Sequence, residues 1–302
     1  MHLAEGTLPV GQALGWSAAA APVLLWSLRA ERGRAEASRV AGLLMAGATS
    51  LLFSATLLPL PVPLVGVTSH ICMTPVLGLL VGLRRMVWPT FFVLLLQALF
   101  FAHGGLTTLG ANTLTLGVFG PVVAAALWAG LRRLGMGGAV GVGVACGLGG
   151  LAVYVADAAI LALALAAEVP PLTTFCTACL GFAPVQLPLA VLEAVVSGKL
   201  LQVLARRRPD LLQGRLQGQA SAPRSPALLV LLLGSGCAYR GVDEAVFGAQ
   251  AGAAGRLPHD SLVDLSQGEL GLAASIVILF SFGFVAGRVW ERLLGGKRAL
   301  SR

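Results

Sequence analysis

Charge is scarce in this sequence. Only 11% of its 302 residues are charged, against 57% hydrophobic, and the mean hydropathy is +0.86, a balance that excludes an ordinary soluble domain. Acidic side chains are the rarer sign, 13 against 21 Lys and Arg. The resulting net charge of +8 does not indicate nucleic acid, because the bases come in short clusters between apolar runs and not along one face. Cysteine is sparse as well. Cys72, Cys146, Cys176, Cys179 and Cys237 lie in or beside apolar segments and offer no disulfide framework, and Cys176-x-x-Cys179, a single pair without a partner pair, reads as packing. Two chemical motifs are missing altogether. Without Gly-x-x-x-x-Gly-Lys-Ser/Thr the chain has no phosphate loop of its own, and without His-Glu-x-x-His it lacks the metalloprotease helix.

What the sequence does have is apolar runs of bilayer length, about 20 residues with some tolerance. Nine are readable, at 11–28, 40–60, 71–83, 86–102, 110–130, 138–166, 177–204, 226–239 and 270–288. The third and eighth are short for a full crossing, which leaves each of them open to being tilted, broken or partly re-entrant. The expected fold is an all-α integral membrane protein, a polytopic helical bundle in a cytoplasmic (inner) membrane. With the N-terminus outside and the C-terminus cytoplasmic, 19 of the 21 basic residues fall inside, and only Arg240 and Arg256 fall outside, as the positive-inside rule requires. The N-terminus does not read as a usual signal peptide, since Glu5 precedes the first apolar run and Arg29 follows it.

This topology puts all four histidines, His2, His70, His103 and His259, at the outer side. Met1-His2 carries a specific chemistry if its amine is free. The α-amino group, the amide nitrogen of residue 2 and its imidazole close two fused chelate rings, a nearly planar donor set that suits Ni(II), Cu(II) or low-spin Co(II) better than tetrahedral Zn(II). The amine must lose its proton to bind. Gly6 and Pro9 can bend the chain back toward the membrane, and the outer loops then offer Thr68-Ser69-His70 and His103 to Asn112. Glu5 is the carboxylate expected nearby.

The opening Met1-His2-Leu3-Ala4-Glu5-Gly6-Thr7-Leu8-Pro9 and the run from Gln97 to Thr113, with His103-Gly104-Gly105-Leu106-Thr107-Thr108 at its centre, resemble the two signatures of the CbiM/NikM family. That family supplies the substrate-binding component of energy-coupling-factor importers for cobalt or nickel. The resemblance covers roughly residues 1–205. It implies a metal held by the amine of Met1, the amide nitrogen and imidazole of His2, and His70, although Ile71-Cys72-Met73-Thr74-Pro75 departs from a glycine-richer pattern there. It leaves His103 either orienting the ligands through hydrogen bonds, the preferred reading, or touching the metal. Ser69, Thr107, Thr108 and Asn112 are its polar companions. Co(II) or Ni(II) is then cargo and no cofactor is implied. The implied partners are a transmembrane CbiQ-like coupling subunit and cytoplasmic ATPase subunits.

Residues 206–225 read as a cytoplasmic linker, and 226–302 resemble a CbiN/NikN-type two-helix hairpin whose outer loop carries Asp243, Glu244, Asp260, Asp264 and Glu269. That loop either concentrates cations or is merely solvated. The dense glycine between Gly137 and Gly150 reads as helix packing. Asp157 and Glu193 lie inside apolar runs, where they are either functional or structurally paired. Two other functions compete. An ion-gradient-driven secondary transporter would use these carboxylates as coupling groups. A membrane metalloenzyme would need a general base beside the metal, which the sequence does not offer.

Overall fold

The computed structural model describes residues 2–32, 39–58, 60–62, 67–101, 103–212, 216, 240–256, 281 and 283–285. Helices dominate. In chain order they are α1 (Val10–Arg32), α2 (Arg39–Leu57), α3 (Thr74–Val81), α4 (Leu83–Phe100), α5 (Leu109–Leu114), α6 (Gly120–Arg133), α7 (Gly138–Ala164), α8 (Pro171–Arg207) and α9 (Ala249–Ala253). A π-helical turn, Thr115–Phe119, joins α5 to α6 without a break. Among the described residues, four helices are long and apolar enough to cross a bilayer: Leu83–Phe100, Leu109–Arg133, Gly138–Ala164 and Pro171–Arg207.

The packing is built for an apolar solvent. Along α8, Leu180, Leu187, Val191 and Val195 are exposed, while Gln186, Glu193 and Ser197 are buried, the reverse of a soluble helix. Helices α7 and α8 share the most extensive interface, and glycine makes it possible: a Cβ on Gly143 or Gly147 would sit 2.4 Å from the carbonyl oxygen of Ala194 or Ala190. The glycine-rich run therefore serves packing, as its composition indicated.

The structure adds two details to the expected helical bundle. The fold is not purely helical: β1 (Leu60–Val62), β2 (Val67–Ser69) and β3 (Arg240–Gly241) form a small sheet, with β1 and β2 antiparallel and β2 and β3 parallel. The third apolar run is helical only over the eight residues Thr74–Val81, which rise about 12 Å at about 1.5 Å per residue. Residues 67–73 precede it as strand and irregular chain. Such backbone needs hydrogen-bond partners from the protein, and the sheet supplies part of that need. The eighth run and the greater part of the ninth, like most of the linker, lie outside the described residues. Of the segment read as an outer loop, residues 240–256 are described, and they dock on the bundle: Phe247 is fully buried, its ring 4.5 Å from that of Phe182, and Arg256 donates to the carbonyl of Ala164 and to Glu168. This part is not simply a solvated loop.

Candidate metal centre

The N-terminal residues reach the bundle because a polar cradle takes them. The amide of Asn112 pairs with the backbone of Leu3 in both directions: Leu3 N–H donates to Oδ1 at 2.9 Å, and Nδ2 donates to the Leu3 carbonyl at 3.1 Å. Thr108 Oγ1 donates to the same carbonyl at 2.6 Å. Further along the loop, Thr107 N–H donates to Glu5 Oε2, and Gly6 N–H to Thr107 Oγ1. Gly105 has to be glycine here, because a Cβ would stand 2.6 Å from the Cα of Glu5. Gly6 and Gly104 both take left-handed φ of 80°, which glycine adopts without steric cost.

Three imidazoles meet above this cradle. The ring centroids of His2 and His103 are 4.3 Å apart, those of His70 and His103 5.0 Å, and those of His2 and His70 5.3 Å. One nitrogen from each ring can be chosen so that all lie within 4.8 Å of one another. Two nitrogens bound to one ion at about 2.0–2.1 Å can be at most about 4.2 Å apart, so less than about 1 Å of movement closes the set. Both ring nitrogens of His2 and Nε2 of His103 are buried without a hydrogen-bond partner in this structure. A buried polar atom left in that state is costly, and a cation would satisfy it. Burial is the main reason all three imidazoles resist protonation. His2 and His70 titrate well below the usual histidine range, His2 also because of nearby His103, and His103 falls to about 4. They stand ready as neutral donors.

Of the expected site residues, His2, His70 and His103 come together, with Thr107 and Asn112 supporting the loop that carries His2. Ser69 faces inward: it shares a 3.3 Å hydrogen bond with Tyr154 and accepts one from Gln186 at 2.9 Å. Met1 and His259 lie outside the described residues. Sequence reasoning missed three features. Asp243, on the docked outer segment, brings Oδ2 to 3.9 Å from His70 Nε2, so Glu5 is not the only carboxylate near the histidines. Glu193 accepts hydrogen bonds from the backbone just after His70. Thr108, noted only as a companion, carries the shortest bond to the N-terminal loop. An intramembrane carboxylate flagged Glu193, but no local pattern named its partner.

The family profile described as "Cobalt uptake substrate-specific transmembrane region", CbiM, matches residues 2–211. The chain belongs to the CbiM family. A cobalt transport protein CbiM of Geobacter sulfurreducens is 37% identical, the alignment covering 99% of this chain and 91% of that protein. A CbiM of Sorangium cellulosum is 38% identical over 74% of this chain and 99% of its own length. The crystal structure of a truncated transition metal transporter shares the fold, with a TM-score of 0.59 and 22% identity over 68% of this chain and 99% of that one. Membership makes this chain a membrane transport component and not an enzyme. The CbiM profile stops at 211, whereas the Geobacter alignment continues through the docked segment.

Proposed function

We propose that this chain is the substrate-binding component of an energy-coupling-factor importer in the cytoplasmic membrane, capturing cobalt or nickel ions on the extracytoplasmic side. The convergence of His2 and His70, both buried, with the partly buried His103, three imidazoles from distant parts of the chain, carries the reading. The amine of Met1, the amide nitrogen and imidazole of His2, and His70 form the nitrogen set around the ion, while His103 packs edge-on against His2 and orients it. The family profile and the cobalt-transporting relatives support the class of cargo. The 19-to-2 distribution of basic residues supports the outward placement of the N-terminus. Domain order follows: 1–205 binds metal, 206–225 links, and 226–302 is a CbiN/NikN-like hairpin whose loop docks beside the site. Energy comes from a CbiQ-like subunit and ATPases, because this sequence contains no phosphate loop.

The test uses purified protein with a free, an acetylated or a one-residue-extended N-terminus, titrated with Ni(II) and Co(II). Tight binding is expected for the free form only, with the spectrum of a planar nitrogen site. Equal binding by all three forms would overturn the assignment of the amine.

A further inference from the structure

Just beyond His70 the chain makes an uncomfortable turn. Met73 has φ of 58°, the one described non-glycine residue in the left-handed region, and it caps α3 without a side-chain hydrogen bond of its own. A conformation of this kind persists only where the surroundings over-determine it, and such residues gather at ligand clamps. The turn leaves two successive backbone N–H groups pointing the same way, a small anion-binding concavity. The acceptor comes from α8: Cys72 N–H donates to Glu193 Oε2 at 3.3 Å, and Met73 N–H to Oε1 at 3.0 Å. Both oxygens of one buried carboxylate thus hold adjacent backbone groups more than a hundred residues away in sequence.

Two more observations show that space is kept for this contact. A Cβ on Gly150 of α7 would lie 2.5 Å from Glu193 Oε2, so the glycine leaves the carboxylate its place. Next to it, His70, Tyr154, Gln186 and Glu193 share a cavity of about 10 Å³, the order of size that admits one water molecule. The imidazole proposed as ligand and the carboxylate holding its backbone thus line the same small space.

We infer that Glu193 is a positioning residue for metal capture: it fixes the arm from His70 to Met73 to the long transmembrane helix α8 and so sets where the His70 imidazole stands. The inference rests on the reading of His70 as a ligand. It assigns the intramembrane carboxylate a mechanical task, and not that of a proton relay or ion-coupling group. It also gives movement at the metal a direct route into a helix that runs to Arg207.

The full-length protein tests this with Ni(II) alone as the probe. Glu193→Gln keeps the size but has one acceptor and turns an amide donor toward a backbone N–H. It should speed hydrogen exchange at the amides of Cys72 and Met73 in the metal-free protein, weaken Ni(II) binding by about 10–100-fold, and shift the ligand-field absorption band. Gly150→Ala, which displaces the Glu193 carboxyl group without removing it, should shift the band the same way; it serves as the reading if Glu193→Gln fails to fold. Asp157→Asn, another buried carboxylate lost from a neighbouring helix, should leave exchange at these amides and the band unchanged. If wild-type protein lacks an amine-dependent Ni(II) site, the parent reading fails and takes this inference with it. If wild type binds as proposed and Glu193→Gln matches it in exchange, affinity and spectrum, or if Asp157→Asn perturbs the site equally, the role of Glu193 alone is overturned.

Discussion

At the scale of single residues, the histidines differ in how replaceable they are. His2 contributes two of the proposed nitrogens and His70 one. His2→Ala and His70→Ala should each remove tight binding, lowering affinity by more than about 100-fold, whereas His103→Ala should weaken it by about 10–100-fold, as groups that orient a ligand do. Isothermal titration with Ni(II) separates these outcomes. The pH dependence follows from which donors hold protons. Burial already keeps His2, His70 and His103 neutral well below their usual range, so between about pH 8 and 6 the amine, with a reference value of about 7.7–8, is the group that competes for a proton. Affinity should fall with pH across that window, with proton release on binding. Stability of the metal-free protein responds lower down. The unfolded chain takes up histidine protons from about pH 6.5, while folded His103 waits until about 4. The unfolded state therefore binds more protons in this interval, and stability must drop as pH falls through it, which thermal melts at pH 4.5 and 7 will show.

At the scale of elements, the cradle and the helix interface can be probed separately. Asn112→Ala removes both hydrogen bonds between α5 and the backbone of Leu3, each worth about 0.5–1.5 kcal/mol net. It should cost metal affinity about tenfold or more and also lower the melting temperature of the metal-free protein modestly, because Leu3 is buried in the core and its N–H loses its acceptor. Gly147→Leu should act on the fold first. Its Cβ meets the Ala190 carbonyl at 2.4 Å, and overpacking of this sort destabilises by about 1–3 kcal/mol, seen as a lower melting temperature with metal binding weakened only as far as the fold loosens. The length of their apolar runs made α4, α6, α7 and α8 legible beforehand. It could not show that the third apolar run would become strand, kinked turn and a two-turn helix, since hydrophobicity is the same whether a segment crosses as a helix or is threaded between helices that satisfy its backbone.

At the scale of the whole molecule, capture and transport separate. Cells or proteoliposomes holding this chain without ATPase partners should bind Ni(II) or Co(II) but accumulate none; accumulation driven by an ion gradient would replace the importer reading with a secondary transporter. The sequence by itself determined the apolar solvent and the approximate helices, and its charge bias and donor types are what the proposed outward placement of the histidines and chelation by Met1-His2 rest on, because length, charge and donor type are local properties written in single segments. Only the tertiary structure decided which groups meet. It brought His103 into one cluster with His2 and His70, carried Asp243 of the docked segment to 3.9 Å from His70, and joined Glu193 to the backbone at Cys72 and Met73. The physical reason is that an intramembrane carboxylate has many partners it could satisfy and a backbone N–H has no side-chain signature. Their pairing is fixed by how α3, α7 and α8 pack, and packing depends on the whole chain at once.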